Sequence, residues 1–483
     1  MYRICRVILA AYIDNMRFFF FRIYLRGEQI IANRKLRYSR LHEEFRTEMQ
    51  AEEPFDFWLR RVCRDVKRND PMIDEVEIDH RGETSSFGET DMRLLRDALQ
   101  TNRFVSSLVL RNVSIDKKSA EYLKDMLLSR SHALKNIHLE GIHGGEGLLA
   151  CSLALTLNPT SGIQTLHLKE NNLDASTCKA IGLMLKSNRS LTELRLCQNS
   201  IDAEGISDIS LGLMSNRTVR ILDLEGNALN DVSVSKISNA LVHNETLEFL
   251  CLDFNDFGQF GTRAIASMLQ RNKRLKELHL FGNQIDSVGA TALANSLLHN
   301  SSLKELILSF NNIGNEGTKA LAEALTVNMT LTHLSFPSNN IWNEGHEAFG
   351  DCLPMMKGLE HLNVGELYDT PAADALLKGL KSNTRLSTLY LQLPVCQEFY
   401  SEEEEFSDSA SDTNSTTPVE DDINFFLRLN KSGRSLLHSK TSAPPSLWAE
   451  ALGKANKNQT AAGVPDVLYH LIRQQPELIP KQH

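Results

Sequence analysis

At 483 residues the chain could hold two or three ordinary domains, and its 42% apolar and 23% charged content is that of a soluble globular protein. The formal charge of −9 is a poor average, because ten acids and no Lys or Arg fall within residues 398–422. No basic stripe with interleaved aromatics occurs, which argues against a nucleic-acid ligand. The eight cysteines are scattered, with no CxxC pair and no disulfide-like spacing. They read as small core hydrophobes or free thiols in a reducing compartment, hence a cytoplasmic protein, with nuclear or organellar placement as alternatives.

Residues 1–48 form a basic N-terminal extension, with ten Lys or Arg against five acids. Its longest uncharged apolar stretch, 7–13, is too short to span a bilayer and minimal for a signal peptide, so no membrane partner is expected. Its Arg content is compatible with a targeting peptide, which Asp14 and Glu28 argue against; a plain helical extension or an upstream gene-model start are the alternatives. Residues 49–104 read as a helical N-terminal cap with a degenerate first repeat. A lone amphipathic helix carries Phe55, Trp58, Leu59, Val62 and Val66, then come Asn69, a strand-like run at 72–78, and a helix from Met92.

Residues 105–397 carry the repeats. Strands begin at Val105 and Leu134 in two 29-residue units whose turns depart from the pattern. From Ile163 a 28-residue unit then recurs seven times, starting again at Leu191, Val219, Leu247, Leu275, Leu303 and Leu331. Each opens apolar-x-x-Leu-x-apolar-x-x-Asn-x-apolar, as in LTELRLCQNSI from Leu191. The Asn falls at 171, 199, 227, 255, 283, 311 and 339, and a second Asn closes the unit at 188, 216, 244, 272, 300 and 328. Alternation such as Leu194 and Leu196 marks a strand buried on one face. A buried amide carries both donor and acceptor, so stacked Asn residues can satisfy backbone groups of adjacent units. Asp202, Asn230 and Asp286 are placed as helix N-caps. Gly205, Gly261, Gly289, Gly317 and Gly345 stand where each helix starts close to its neighbour. Asn328 suits a helix C-terminus.

Self-similarity at one period is the signature of a solenoid. This motif resembles leucine-rich repeats of the ribonuclease-inhibitor-like subclass, which pair a strand with a full helix. The resemblance implies an α/β fold, a right-handed leucine-rich-repeat horseshoe with parallel strands inside and helices outside. Two irregular units follow, from Leu359 and Leu386, and Pro394 suits a sheet edge. About twelve strands at ~4.8 Å spacing make an inner face on the order of 50 Å long.

Residues 398–422 read as an acidic disordered linker, in which Ser401, Ser409 and Thr417 each precede an acid by three residues. Residues 423–483 read as a helical C-terminal tail of three short amphipathic segments. The tail is similar to one that follows leucine-rich repeats in unicellular-algal proteins of unknown role.

No P-loop, GxGxxG, HExxH, GxSxG or kinase motif occurs, so no catalytic residue, cofactor or small-molecule substrate is expected. His138 and His167 share an outward strand position in adjacent units, but no Cys, Asp or third His joins them at matching positions, and no metal site is assigned. The sequons at Asn188, Asn216, Asn244 and Asn328 follow from the repeat itself. The outward strand positions are more telling: Asp223, Glu225, Phe249, Asp253, Phe254, His279, Phe281, Ile307 and Phe310 set aromatic and aliphatic groups beside acids. Clustered exposed apolar surface marks a partner site. The leading expectation is therefore a non-catalytic interaction scaffold binding another protein on its concave face. The alternative is a regulator of a small Ran-like GTPase, since Ran-type GTPase-activating proteins also join this repeat to an acidic segment. The acidic stretch here is short and interrupted, and no residue of theirs maps onto the chain.

Overall fold

The computed structural model describes residues 55–80, 87–128, 133–143, 145–367, 370–392 and 418–431. The chain divides into two compact units between Arg64 and Asp65. The first contributes most of the helix Phe55–Lys67, which runs across that boundary. The readings of the basic extension, of residues 398–417 and of the tail beyond Lys431 lie outside the described residues.

The second unit holds one sheet of twelve strands, paired in sequence order. The strands are β1 Glu75–Asp79, β2 Ser107–Arg111, β3 Asn136–Glu140, β4 Thr165–Lys169, β5 Glu193–Arg195 and β6 Ile221–Asp223. They continue with β7 Phe249–Cys251, β8 Glu277–His279, β9 Glu305–Ile307, β10 His333–Ser335, β11 His361–Glu366 and β12 Thr388–Gln392. Every pair is parallel, and a helix lies between successive strands from β1 to β12. Parallel strands need such a crossover, and the helices lie on the side of the sheet towards which the buried Leu row points, opposite the outer face that carries the alternate residues. The fold is a leucine-rich-repeat solenoid, as the period implied.

The core is the row of inward Leu residues (Leu166, Leu194, Leu222, Leu250, Leu278, Leu306 and Leu334), each at most 2% exposed. Helix starts follow the expected chemistry. Asp202 and Asp286 accept the N–H of Gly205 and Gly289, and Asn230 accepts those of Val232 and Ser233. A Cβ at Gly317 would lie 2.8 Å from Ala290 Cβ, and one at Gly205 2.8 Å from Cys178 Sγ, so the helices approach too closely there for a side chain.

Two asparagine ladders hold the layers together. In the first, each Nδ2 donates to a Leu carbonyl of the preceding unit, as Asn199 does to Leu168 (2.6 Å) and Asn227 to Leu196 (2.9 Å). The Oδ1 atoms accept backbone N–H groups from that preceding unit: Asn171 donates to Asn199, Asn199 to Asn227 and Asn227 to Asn255. In the second ladder, Asn216 Oδ1 accepts from Thr218 and Val219 while its Nδ2 donates to Leu185 (2.7 Å). These helix-ending residues are not in the left-handed conformation that a C-terminal Asn often adopts. Asn188 and Asn216 are extended, with ψ near 140°, because the side chain must fold back over the next two residues. Asn188 is 1% exposed and Asn216 is fully buried, so their sequons are not accessible acceptors.

The second ladder outlasts the first. Asn102 Nδ2 donates to Val66 (2.7 Å) and Asn383 Nδ2 to Leu353 (2.7 Å), in units that lack the first Asn. It ends at Asn430, whose Nδ2 donates to the carbonyls of Asn383 and Leu386. Asn430 belongs to a helix, Pro418–Lys431, that packs on the helix Thr370–Ser382 and buries Ile423, Leu427 and Leu429. This helix begins five residues before the expected linker boundary, so residues 418–422 are helical. Pro418 at the first position and Glu420, Asp421 and Asp422 in the first turns suit a helix N-terminus. The helix stands where the next unit's helix would, covering an otherwise open end of the core.

Each Asn of the first ladder satisfies several buried groups, so Asn227→Ala should lower unfolding free energy by about 3 kcal/mol. Gln270→Ala, at an exposed helix position, should cost under about 0.5 kcal/mol. Guanidinium titration of both variants checks this, and equal losses would contradict the ladder's role.

Candidate functional site

The outer face of the sheet is built from residues that alternate with the buried Leu rows, in two rows that matter. One runs His138, His167, Arg195, Asp223, Cys251, His279, Ile307, one residue per strand, as the register places them side by side. The other lies two residues later and carries Cys197, Glu225, Asp253 and Phe281. Residues i and i+2 of a strand face the same way, so both rows share one surface.

At one end of this surface the side chains are polar and paired. The His138 and His167 rings stack at 4.1 Å, as their shared position suggested. His167 Nε2 lies 2.9 Å from Glu193 Oε1, and Arg195 Nε donates to the same oxygen at 2.6 Å. These partners hold the Glu193 carboxyl down to about 2, against the opposing effect of burial. Burial, with the neighbouring His167 and Arg111, pushes the His138 imidazole down to about 4. Asp223 is not the exposed acid of the sequence reading. It is 5% exposed, and Arg195 Nη1 lies 3.5 Å from its Oδ2.

Further along, the surface becomes aromatic. Phe254, Phe281 and Phe310 form one half-buried row with ring centroids 4.8 Å apart at each step. Phe254 and Phe310 lie in the turn just after the strand, with φ of 53° and 56°. The residue before the ladder Asn takes this left-handed conformation in every regular unit, and Gly226 and Gly282 fill it without strain. A phenylalanine there is unusual, because a bulky residue at positive φ clashes with its own backbone. Gly282 also makes room for the row, since a Cβ there would lie 2.9 Å from the Phe254 ring. Phe249 packs edge-on to His279 at 4.9 Å, and half-buried Ile307 stands opposite His279 on the next strand. Half-buried Glu225 donates its backbone N–H to Asp223 Oδ1 (3.1 Å).

Between the two regions lies a cluster that the sequence reading did not assemble. Cys251, Asp253 and His279 each place a potential ligand atom within 4.8 Å of the other two, and Cys197, Asp223 and Glu225 do the same. Cys251 and Cys197 are 4% and 8% exposed, which agrees with their reading as buried thiols, but they sit on the outer side of the sheet. Burial holds both thiols above their ordinary range. Burial also raises the Asp253 carboxyl to about 6, although His279 and the Phe281 N–H pull it down. Burial lowers the His279 imidazole, but Glu305, Asp253 and Glu277 together outweigh it, and the ring is held above its usual range. Counting strand positions would have found the cluster, because Cys251 occupies the same position as Asp223 and His279. Classing the cysteines by type hid that register.

The family model described as Leucine Rich repeat matches residues 187–210, 215–238, 271–294, 299–322 and 327–350. No curated protein matches the chain. Among solved structures it is similar to leiomodin-1 actin-binding site 2, with 23% identity over 34% of this chain and 76% of that one, at a TM-score of 0.22. It is also similar to the tropomodulin C-terminal domain of Caenorhabditis elegans, with 14% identity over 38% of this chain and 92% of that one, at a TM-score of 0.26. A third is the TLR13–ssRNA13 complex, with 19% identity over 65% of this chain and a TM-score of 0.38, where the chain spans 43% of that protein's length. The matched segments and the sheet topology together define a chain built of leucine-rich repeats. Among the described residues no helix is long and apolar enough to cross a membrane.

The histidine stack generates a pH dependence of stability. His138 has its pKa lowered to about 4 in the fold against 6.5 outside it, so the unfolded chain takes the proton first as pH falls through that window. Stability contributed by neutral His138 is therefore complete above pH 6.5 and is lost progressively towards pH 4. Glu193 adds a loss of the same sign at lower pH, from 4.5 down to about 2. His138→Asn, which cannot titrate, should flatten the fall in melting temperature between pH 6.5 and 4 relative to wild type. Parallel curves for the two proteins would contradict this account.

Proposed function

We propose that this protein is a non-catalytic interaction scaffold that binds a protein partner on the outer face of its sheet, around β7 to β9. The observation that carries the reading is the aromatic row Phe254, Phe281 and Phe310, with two of its members in a left-handed backbone conformation. Such strain costs on the order of 1–3 kcal/mol per residue and persists where something else requires the side chain. Clustered aromatics on a rigid surface are what a binding hot spot consists of. A prearranged sheet also lowers the ordering cost of association.

The acids beside the aromatic groups offer little free negative charge to a partner. Asp223 is paired with Arg195, and the Asp253 carboxyl is enclosed and held towards its neutral form. The proposed contact is therefore mainly apolar, with Phe249 and Ile307 flanking the row. The 28-residue period with a helix in each unit supports placement in the ribonuclease-inhibitor-like subclass. Six free cysteines among the described residues support a reducing compartment such as the cytoplasm.

The strained positions make a sharp test. Phe254→Gly and Phe310→Gly install the residue that equivalent units already carry at Gly226 and Gly282. Folding stability should stay within about 1 kcal/mol of wild type, because relieved strain offsets lost ring contacts. Affinity for a partner recovered by purification with the full chain should fall by about 2 kcal/mol, roughly 30-fold. Undiminished affinity would remove this surface from consideration. A large loss of stability would assign the rings a structural role instead. An increase in GTP hydrolysis by a Ran-like GTPase would favour the regulator reading, whereas the scaffold reading expects no change.

A further inference from the structure

We propose that Cys251, Asp253 and His279 form a binding site for a single transition-metal dication of the Zn2+ type on the outer face of the sheet. This goes beyond the scaffold reading and does not depend on it. The parallel register sets Cys251 directly opposite His279 on the next strand. Asp253 lies two residues beyond Cys251 and so faces the same side. One ligand atom from each residue lies within 4.8 Å of the other two. Around a tetrahedral zinc, with bonds of about 2.0–2.3 Å, donors stand roughly 3.3–3.8 Å apart. Small side-chain rotations therefore close the site without moving the strands.

The donor set selects the class of ion. A thiolate, an imidazole and a carboxylate together suit zinc and its borderline neighbours, whereas magnesium and calcium call for oxygen ligands throughout. The surroundings are those of a ligand set rather than a chance cluster. His279 Nε2 is buried and has no hydrogen-bond partner. Glu305 Oε1 lies 3.5 Å from the same nitrogen, too distant for a good bond, so it does not occupy Nε2. Asp253 Oδ1 is fixed by the Phe281 N–H at 2.7 Å, the kind of outer contact that aims a carboxylate's other oxygen. Phe249 packs against the His279 ring and limits its rotation.

The adjoining trio Cys197, Asp223 and Glu225 is a poorer candidate, because Arg195 already supplies a positive charge to Asp223. Cys251, Asp253 and His279 provide three protein ligands, and a tetrahedral ion takes a fourth. Water, or a side chain of a docked partner, can complete the tetrahedron. Binding would displace the thiol proton to solvent as the metal–sulfur bond forms, with no change of oxidation state.

Cobalt provides the readout. The full-length chain, reduced and freed of metal with a chelator, would be titrated with Co2+ alone, followed by competition with Zn2+. Wild type should develop a near-ultraviolet thiolate–cobalt absorption saturating at one equivalent, and Zn2+ should abolish it. Cys251→Ser should eliminate that band. His279→Gln should weaken Co2+ binding by at least about 100-fold while keeping the far-ultraviolet circular dichroism of the parent. Cys197→Ser should leave the band intact. Should Cys251→Ser fail to fold, His279→Gln and Asp253→Asn carry the test through their affinities. The proposal is overturned if wild type gives no such band, if the band survives in Cys251→Ser, if it is lost in Cys197→Ser, or if His279→Gln and Asp253→Asn both bind as tightly as wild type.

Discussion

The structure depends on one constraint, the need to satisfy backbone groups where each strand turns towards its helix inside a closed stack. At those turns neither a helix nor a ladder is available to the backbone, and a buried unpaired carbonyl or amide costs about 1–3 kcal/mol. A side-chain amide answers both needs, and only Asn is short enough to do so from within the turn. Asn255, for example, reaches back with Nδ2 to Leu224 while its Oδ1 receives Asn227 and Leu229. Because each amide spans two units, the period is locked. An insertion of one residue would unpair two layers at once, which explains a spacing of 28 residues without a slip from Ile163 to Asn339.

The same constraint explains how much of the fold was legible. A residue required at every layer repeats, and repetition is the strongest signal a single sequence carries. The strand count, parallel order, helix caps at Asp202, Asn230 and Asp286, and close glycines all follow from the register. The ends were harder, because the first Asn disappears there. Val113 and Ile142 occupy its place, although the left-handed residue before it is kept, as Asn112 and Gly141. The second Asn is the better guide to the ends. Its demand comes from the helix terminus, and it recurs at Asn102, Asn383 and Asn430, although Ser131, Thr160 and Met356 take its place in three units between. Following it would have placed Pro418–Lys431 against the last layer instead of dividing it between a linker and a tail.

The outer face was only partly legible, because its residues answer to no repeating demand. Alternation shows which residues face outward but not how far their neighbours cover them. Asp223 and Phe254 illustrate the two ways this fails. Asp223 was correctly placed on the outer side, yet Arg195 and the adjacent strands bury it. Phe254 was read as the exposed end of a strand, when it is a turn residue whose positive φ swings its ring alongside Phe281. Backbone conformation of that kind is invisible in composition, except that Gly226 and Gly282 stand at the same place in neighbouring units.

Between β6 and β8 the face carries a concentration of groups that ordinary folding would avoid. Two thiols, three carboxylates and an imidazole crowd onto three neighbouring strands and the turn before them, with Arg195 the nearby guanidinium. Burying carboxylates beside one another raises their proton affinity, as at Asp253, and a stack selected for stability alone would place small apolar residues there. Further along the same row the register continues to Ile307 and Ser335, neither of them a carboxylate. The cluster adjoins the strained aromatic row, Phe281 linking the two through its N–H to Asp253 and its ring to Phe254 and Phe310. The Phe281 backbone N–H is thus the one hydrogen bond, among those described, that joins the carboxylate cluster to the residue bearing the central ring of the aromatic row.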